Sequence, residues 1–551
     1  MRRILIALVA LLAATFSFAE IRFKNIYQDN MVLQANEPNV IAGRSDADAD
    51  IELSLNAKTS DGKNVQNSFK TKAGKDGFWS VKIPAFPKRT DLELVAKNSS
   101  GESAKISNVV TGELWLGSGQ SNMEWNFSFP TVEKDFLEKY RKIADELKGD
   151  VRIFITASMH FTKPLNEVGG RVGWRIVDGK NLTTSGSQIC IIFAGQLAKA
   201  MDTPVGIIDS SWGGSRIESW IPKSAFIENN LVFRWEGKDY TWGDYEKEIN
   251  NYAQIRNQYI EEFAEWFDKY PSQELQGKNS KTCPKKPIDE FSIDQLPAKR
   301  YNAKIHGIAP LAPKGVLWYQ GESNAGEPYL YGEQLKALVT SWRKHFKRDF
   351  YFYYVDLAAL NETQKEPVQY YSWGGIREAM AEVLELPKTG VATSLDSGGS
   401  RMQGQRDIHP PHKEMISTRL ANLALAEVYK KGNPVFARSP RYSGEFKVEG
   451  NKLIVKIENA DGLRKMARAE KLTGFAIRGE NPRDWKWADA EIKGDTIVLS
   501  SPEVAEPKAA RYAWASWPLV SVESRHGLPL LSFSTDNSAY VDWNRTPREK
   551  K

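Results

Sequence analysis

The chain has 551 residues, of which 41% are hydrophobic and 26% charged. That balance excludes a disordered or fibrous protein, and the length exceeds a single core, so two to four domains are expected. The 75 basic and 69 acidic residues are interspersed and leave a net charge of +6, which points away from a nucleic-acid groove.

The chain opens MRRILIALVALLAATFSFAE, with Arg2 and Arg3 ahead of a short apolar run and the small-x-small pattern Ser17-Phe18-Ala19 behind it. Residues 1–19 therefore read as a secretory signal peptide cut after Ala19; the run is too short for a comfortable membrane span. No later stretch is apolar enough to span, so an exported chain, periplasmic or extracellular, is expected.

Residues 20–108 alternate polar and apolar in short runs such as IELSLNA and DLELVAK, which predicts an antiparallel β-domain of sandwich type. From 109 to 432 the pattern changes: short apolar runs (ELWLGS, VGIIDSS, GVLWYQ, FYFYYVD, GVATSLD) alternate with amphipathic helices. That order implies an α/β domain, a parallel sheet with helices on both faces, whose ligands bind at the carboxyl ends of the strands. An insertion over about 230–300, rich in Glu, Lys, Tyr and Trp, contains a long predicted surface helix. Strands return over 433–540 as a second β-region, and residues 541–551 read as a tail. Of the two cysteines, Cys190 lies on a predicted buried helix face and Cys283 in the charged insertion; two free thiols are expected, and no spacing resembles a zinc site.

Four strand ends carry the candidate chemistry. The string GSGQSNMEW places Ser121 between two amides, behind Gly117 and Gly119. Small residues let a substrate approach, and amides can donate to a developing negative charge. A capped strand-to-helix turn would look the same. A serine nucleophile needs a base. Among the six histidines only His409 and His412, in QRDIHPPHK, follow a predicted parallel strand. Asp407 is close enough to His409 to accept its ring N–H and hold the tautomer. In WYQGESN, Gln320, Glu322 and Asn324 are costly at a buried strand end unless each has a partner. They read either as a structural polar network or as the source of an oxyanion-binding amide. In SSWGGSRIESW, Gly213 and Gly214 offer backbone N–H groups to the same point, or simply turn the chain.

Taken together, GELWLGSGQSNMEW, WGGSRIESW, GVLWYQGESN and DIHPPHK resemble, in order, the motif blocks of the sialate O-acetylesterase family of SGNH hydrolases. DNMVLQ and RYAWASWPL…HGLPLLSFSTD resemble its flanking β-regions. The resemblance covers nearly the whole mature chain. It implies an SGNH-hydrolase-like parallel sheet flanked by helices, with β-sandwich-like regions at both ends. It implies that Ser121 attacks, that His409 is the base and that Asp407 orients it. The oxyanion hole it implies comprises the Ser121 N–H, a glycine N–H at Gly214 or Gly213, and an amide from Gln320 or Asn324, with Gln320 preferred. Asp407 and His409 are two apart where the superfamily usually has three, and the usual asparagine of the third block is replaced by Gln-Gly-Glu-Ser-Asn.

The expected activity is removal of O-acetyl groups from carbohydrates through an acyl-serine, with no metal or cofactor. Within that class an acetylxylan or other plant-polysaccharide esterase is the alternative; outside it, a non-catalytic carbohydrate-binding protein. Arg216 and Arg377 are candidates for gripping a sugar carboxylate at the rim, the other reading being that each pairs with a nearby acid such as Glu218 or Glu378.

Overall fold

The computed structural model describes residues 20–235, 237–269, 295–369, 373–397 and 408–536. The expected leader at 1–19, Cys283, Asp407 and the tail at 541–551 lie outside the described residues.

The organising element is one long strand, β1 (Ser103–Gly119). Its first half pairs antiparallel with the strand Asp91–Asn98 and alternates in exposure. Its second half, ending LWLGSG, is buried on both faces, as a strand inside a parallel sheet must be. A single strand thus runs through position 109, where the composition of the chain changes.

Around that second half stand β2 (Val151–Thr156), β3 (Gly170–Ile176), β4 (Val205–Ser211), β5 (Gly315–Tyr319), β6 (Tyr351–Val355) and β7 (Thr389–Ala392). The order is β3-β2-β4-β1-β5-β6-β7, with every pair parallel except the antiparallel edge β3–β2. β4 and β5 are buried at every residue, which is why their sequences read as unbroken apolar runs ending in small or polar residues. Helices connect the strands: α1 (Ser121–Glu124), α2 (Lys134–Glu146), α3 (Gln188–Met201), α4 (Trp242–Lys269), α5 (Pro328–Phe346), α6 (Trp373–Ala381) and α7 (Glu414–Leu423). In α3 the Ser187 hydroxyl caps the first turn by accepting the Cys190 N–H at 3.2 Å, and Asp202 ends the helix in the left-handed region. Cys190 is a free, fully buried thiol on this helix. In the 230–300 insertion, α4 reaches outward and exposes Ile255 and Ile260.

The two β-regions join the centre differently. Residues of the amino-terminal strands, such as Leu33, Leu53 and Leu94, belong to the same apolar core as Trp115 and Leu317 of the central sheet. The carboxy-terminal strands form two four-stranded sheets around their own core of Leu453, Val455, Phe475, Tyr512 and Phe533. Among the described residues no helix is long and apolar enough to cross a membrane.

Candidate active site

The carboxyl end of β1 is shaped by Gly119. Its φ is +138°, and a Cβ there would sit 2.2 Å from the Tyr319 carbonyl oxygen, so no other residue fits the turn. The chain then reverses: the Gln120 N–H donates to the same Tyr319 oxygen at 2.9 Å, and Ser121 opens α1. As the first residue of a helix, Ser121 keeps its backbone N–H outside the helical ladder.

His409 lies in the segment between β7 and α7, and its Nε2 is 2.8 Å from Ser121 Oγ. With the ring neutral and Nε2 unprotonated, the serine hydroxyl donates and the imidazole accepts. The ring is held flat by Trp125, stacked at 4.6 Å and 24°, which in turn stacks on Phe129 at 3.8 Å. Asn122 ties the same corner together. Its amide donates to Glu322 Oε1 at 2.6 Å and to the Ile408 carbonyl at 3.1 Å, and its oxygen accepts from the Lys413 ammonium at 2.5 Å. Burial pushes the Glu322 carboxyl above the usual range, against the pull of Asn122 and Lys413. His412 turns away to stack on Phe136 of α2 at 4.4 Å. Ser118, the other serine between glycines, is fully buried and donates to the Ser210 carbonyl at 2.8 Å.

The other side of Ser121 departs from expectation. The Gln320 amide nitrogen, with two hydrogens, faces three acceptors: Ser215 O at 2.9 Å, Asn324 Oδ1 at 2.9 Å and Gln120 Oε1 at 3.2 Å. Its oxygen accepts from Tyr331. The Asn324 nitrogen lies against both oxygens of Glu218, at 3.1 and 3.0 Å, and its oxygen accepts the Ile217 N–H. Both side chains are buried, and a buried amide must be satisfied within the protein. Neither is therefore free to meet an oxyanion. The Gly213 N–H is also taken, by Glu124 Oε2 at 2.7 Å. Gly214, at φ +67° with open space beside its α-carbon, has an N–H without an acceptor among the described residues.

The two arginines are corrected in the same way. Arg377 is buried and donates to four carbonyls, those of Leu357, Ala358, Ala515 and Ser516. It clamps the carboxy-terminal region to the segment after β6 and does not reach a rim; burial pulls its pKa down to about 10. Arg216 forms ion pairs with Glu218 at 3.0 Å and Glu327 at 3.2 Å and donates to the Ser323 carbonyl. Beside Gly213 the half-buried Trp212 carries the Arg300 guanidinium 4.6 Å from its ring centre.

Asn122, expected with Gln120 as an amide beside the serine, braces the site instead, and Glu124, Trp125 and Lys413 join it unforeseen. Glu124 and Trp125 stand in SNMEW, directly after the serine, and that nearness was the available signal. Lys413 is fully buried and gave none, because lysine reads as surface. Among the described residues no group of three or more His, Cys, Asp or Glu side chains could hold a metal ion.

No protein-family model matches the chain. Over 539 residues it is 25% identical to the sialate O-acetylesterase of Rattus norvegicus, covering 90% of each protein. It is 22% identical over 533 residues to the sialate O-acetylesterase of Homo sapiens, covering 90% of this chain and 88% of that one. The crystal structure of a carbohydrate acetylesterase from Xanthomonas citri superposes with a TM-score of 0.72 at 25% identity, over 94% of this chain and 100% of that one. The family resemblance drawn from the motif blocks is borne out by these likenesses.

Proposed function

We propose that the protein is a serine esterase that removes O-acetyl groups from carbohydrates, built on an SGNH-type sheet with a sandwich-like β-region at either end. The observation that carries this reading is the 2.8 Å contact between Ser121 Oγ and His409 Nε2 at the carboxyl end of the central strand. The sialate O-acetylesterases and the carbohydrate acetylesterase similar to this chain support the substrate class.

His409 takes the hydroxyl proton as Ser121 Oγ bonds to the acetyl carbonyl carbon. The oxyanion that forms meets the Ser121 and Gly214 N–H groups. As the tetrahedral intermediate collapses, the imidazolium returns the proton to the departing sugar oxygen, leaving an acetyl-serine and a free sugar hydroxyl. Water, deprotonated by the same imidazole, attacks the acetyl-serine, and the imidazolium returns that proton to Ser121 Oγ as acetate leaves. Trp125 holds the ring in plane, and the role of orienting the imidazole is assigned to Asp407. Residues 1–19 are assigned as a leader, which makes the site an exported one.

Neutral acetylated polysaccharide, such as acetylxylan, is favoured over an acidic sugar by one observation. Arg216 and Arg377, the two arginines expected to grip a carboxylate, are engaged within the protein. The test is acetate release by the purified protein and by Ser121→Ala from acetylated xylan, pectin and O-acetylated sialic acid. Wild-type turnover abolished in the variant, with xylan preferred over the acidic pectin and sialic acid, is the expected result. Retained activity in Ser121→Ala would sink the nucleophile assignment, and release from sialic acid alone would reverse the substrate preference.

A further inference from the structure

Gln120 directly precedes the nucleophile and is 3% exposed. Its side-chain oxygen is met by three N–H groups: the Gly321 N–H at 3.4 Å, the Ser323 N–H at 3.3 Å and Gln320 Nε2 at 3.2 Å. Two of these are main-chain groups that can only donate, so the atom they converge on is an acceptor. The loop after β5 thereby fixes which way the amide points. Nε2 faces away from that loop, with two hydrogens and no acceptor among the described residues. Every neighbouring amide is spent: Gln320 and Asn324 on the Arg216–Glu218 side, Asn122 on Glu322 and Ile408. The oxygen is held by main-chain donors and the nitrogen is left for a partner outside the protein.

We propose that Gln120 Nε2 is the side-chain donor of the oxyanion hole. It meets the acetyl oxygen as that oxygen gains negative charge, alongside the Ser121 and Gly214 N–H groups. This rests on the esterase reading above. It moves the amide role from the strand end of β5 to the residue before the serine, and makes Gln320 the side chain that positions Gln120. The arrangement is fixed before substrate arrives, because the donors that hold the oxygen belong to the backbone; that is what an oxyanion hole requires.

The experiment compares wild type with Gln120→Glu and Gln120→Met on 4-nitrophenyl acetate, measuring kcat, KM, affinity for a trifluoromethyl ketone that forms an oxyanion on Ser121, and thermal melting. Gln120→Glu keeps an oxygen for Gly321 and Ser323 but removes the donor; Gln120→Met fills the space without one. Both are expected to lower kcat by about 100- to 1,000-fold and weaken the ketone in parallel, with KM changed less than about threefold. A kcat within about fivefold of wild type in a folded Gln120→Glu protein overturns the proposal alone. So does a loss of ketone affinity no larger than the change in KM, which marks a structural role. Wild-type protein that hydrolyses no acetate ester overturns the esterase reading and this proposal with it.

Discussion

Two polar clusters flank Ser121, and they are built on opposite rules. On one side the serine hydroxyl and the His409 ring face each other across 2.8 Å, and the Gly214 N–H has no acceptor among the described residues. On the other, Gln320, Asn324, Glu218 and Arg216 close on one another until their amides and carboxylates are taken up. Both clusters stand at strand ends, and both are spelled in the sequence as short polar strings next to glycines. What separates them is hydrogen-bond accounting. The closed cluster supports the turns; the open one has groups left over for a substrate.

The comparison breaks most visibly at the base. His409→Ala is expected to reduce kcat/KM on an acetate ester by about 10,000-fold with little change in melting temperature, because the residue contributes to a transition state and not to a core. His412→Ala, whose ring stacks on Phe136, should stay within about threefold. Equal losses from both substitutions would show that the open cluster is misdrawn.

The closed cluster should respond in stability instead. Glu218→Ala leaves the buried Asn324 amide without its acceptors and removes one of two carboxylates from Arg216. Breaking a buried pair on one side costs about 3–5 kcal/mol. Denaturant unfolding measures this, and activity per folded molecule should fall by less than about tenfold. A large loss of turnover at wild-type stability would place Glu218 in the catalytic machinery.

Arg377→Ala tests the same rule at a distance. Four carbonyls lose a charged donor, and a loss of about 2–4 kcal/mol is expected. The ratio of KM values for acidic and neutral acetylated sugars should not move. A change in that ratio would return Arg377 to the substrate.

A histidine can also belong to the closed class. His345 lies 3.0 Å from the His306 carbonyl through Nε2 and stacks on the His306 ring, and burial pulls its pKa down to about 4. The folded protein therefore binds this proton less readily than the unfolded chain, whose histidine titrates near 6.5. The stability it contributes is complete above about pH 6.5 and is lost as pH falls toward 4, about 1–2 kcal/mol of it by pH 5. Replacing His345 with Gln should flatten the slope of unfolding free energy across that window. An unchanged slope would mean that His345 titrates normally and is not closed off.

The α/β order, the antiparallel strands before and after it, the long helix of the insertion and the Ser121–His409 pair were all legible in the residues. Each depends on local pattern: a period of two, an unbroken apolar run, a serine or histidine just past a strand. Which amide is open to a substrate, and whether the arginines are, was not legible for a common reason. Whether Gln320 donates to a ligand or to Ser215 O depends on what the fold brings within 3 Å of it, and Ser215 is 105 residues away in the chain. The same holds for Arg377, whose acceptors Ala515 and Ser516 lie 138 and 139 residues further on. Residue type and spacing decide which side chains can carry chemistry. Only the packed structure decides which of them are already satisfied, because a hydrogen-bond partner is chosen by proximity in space, and burial makes that choice costly to undo.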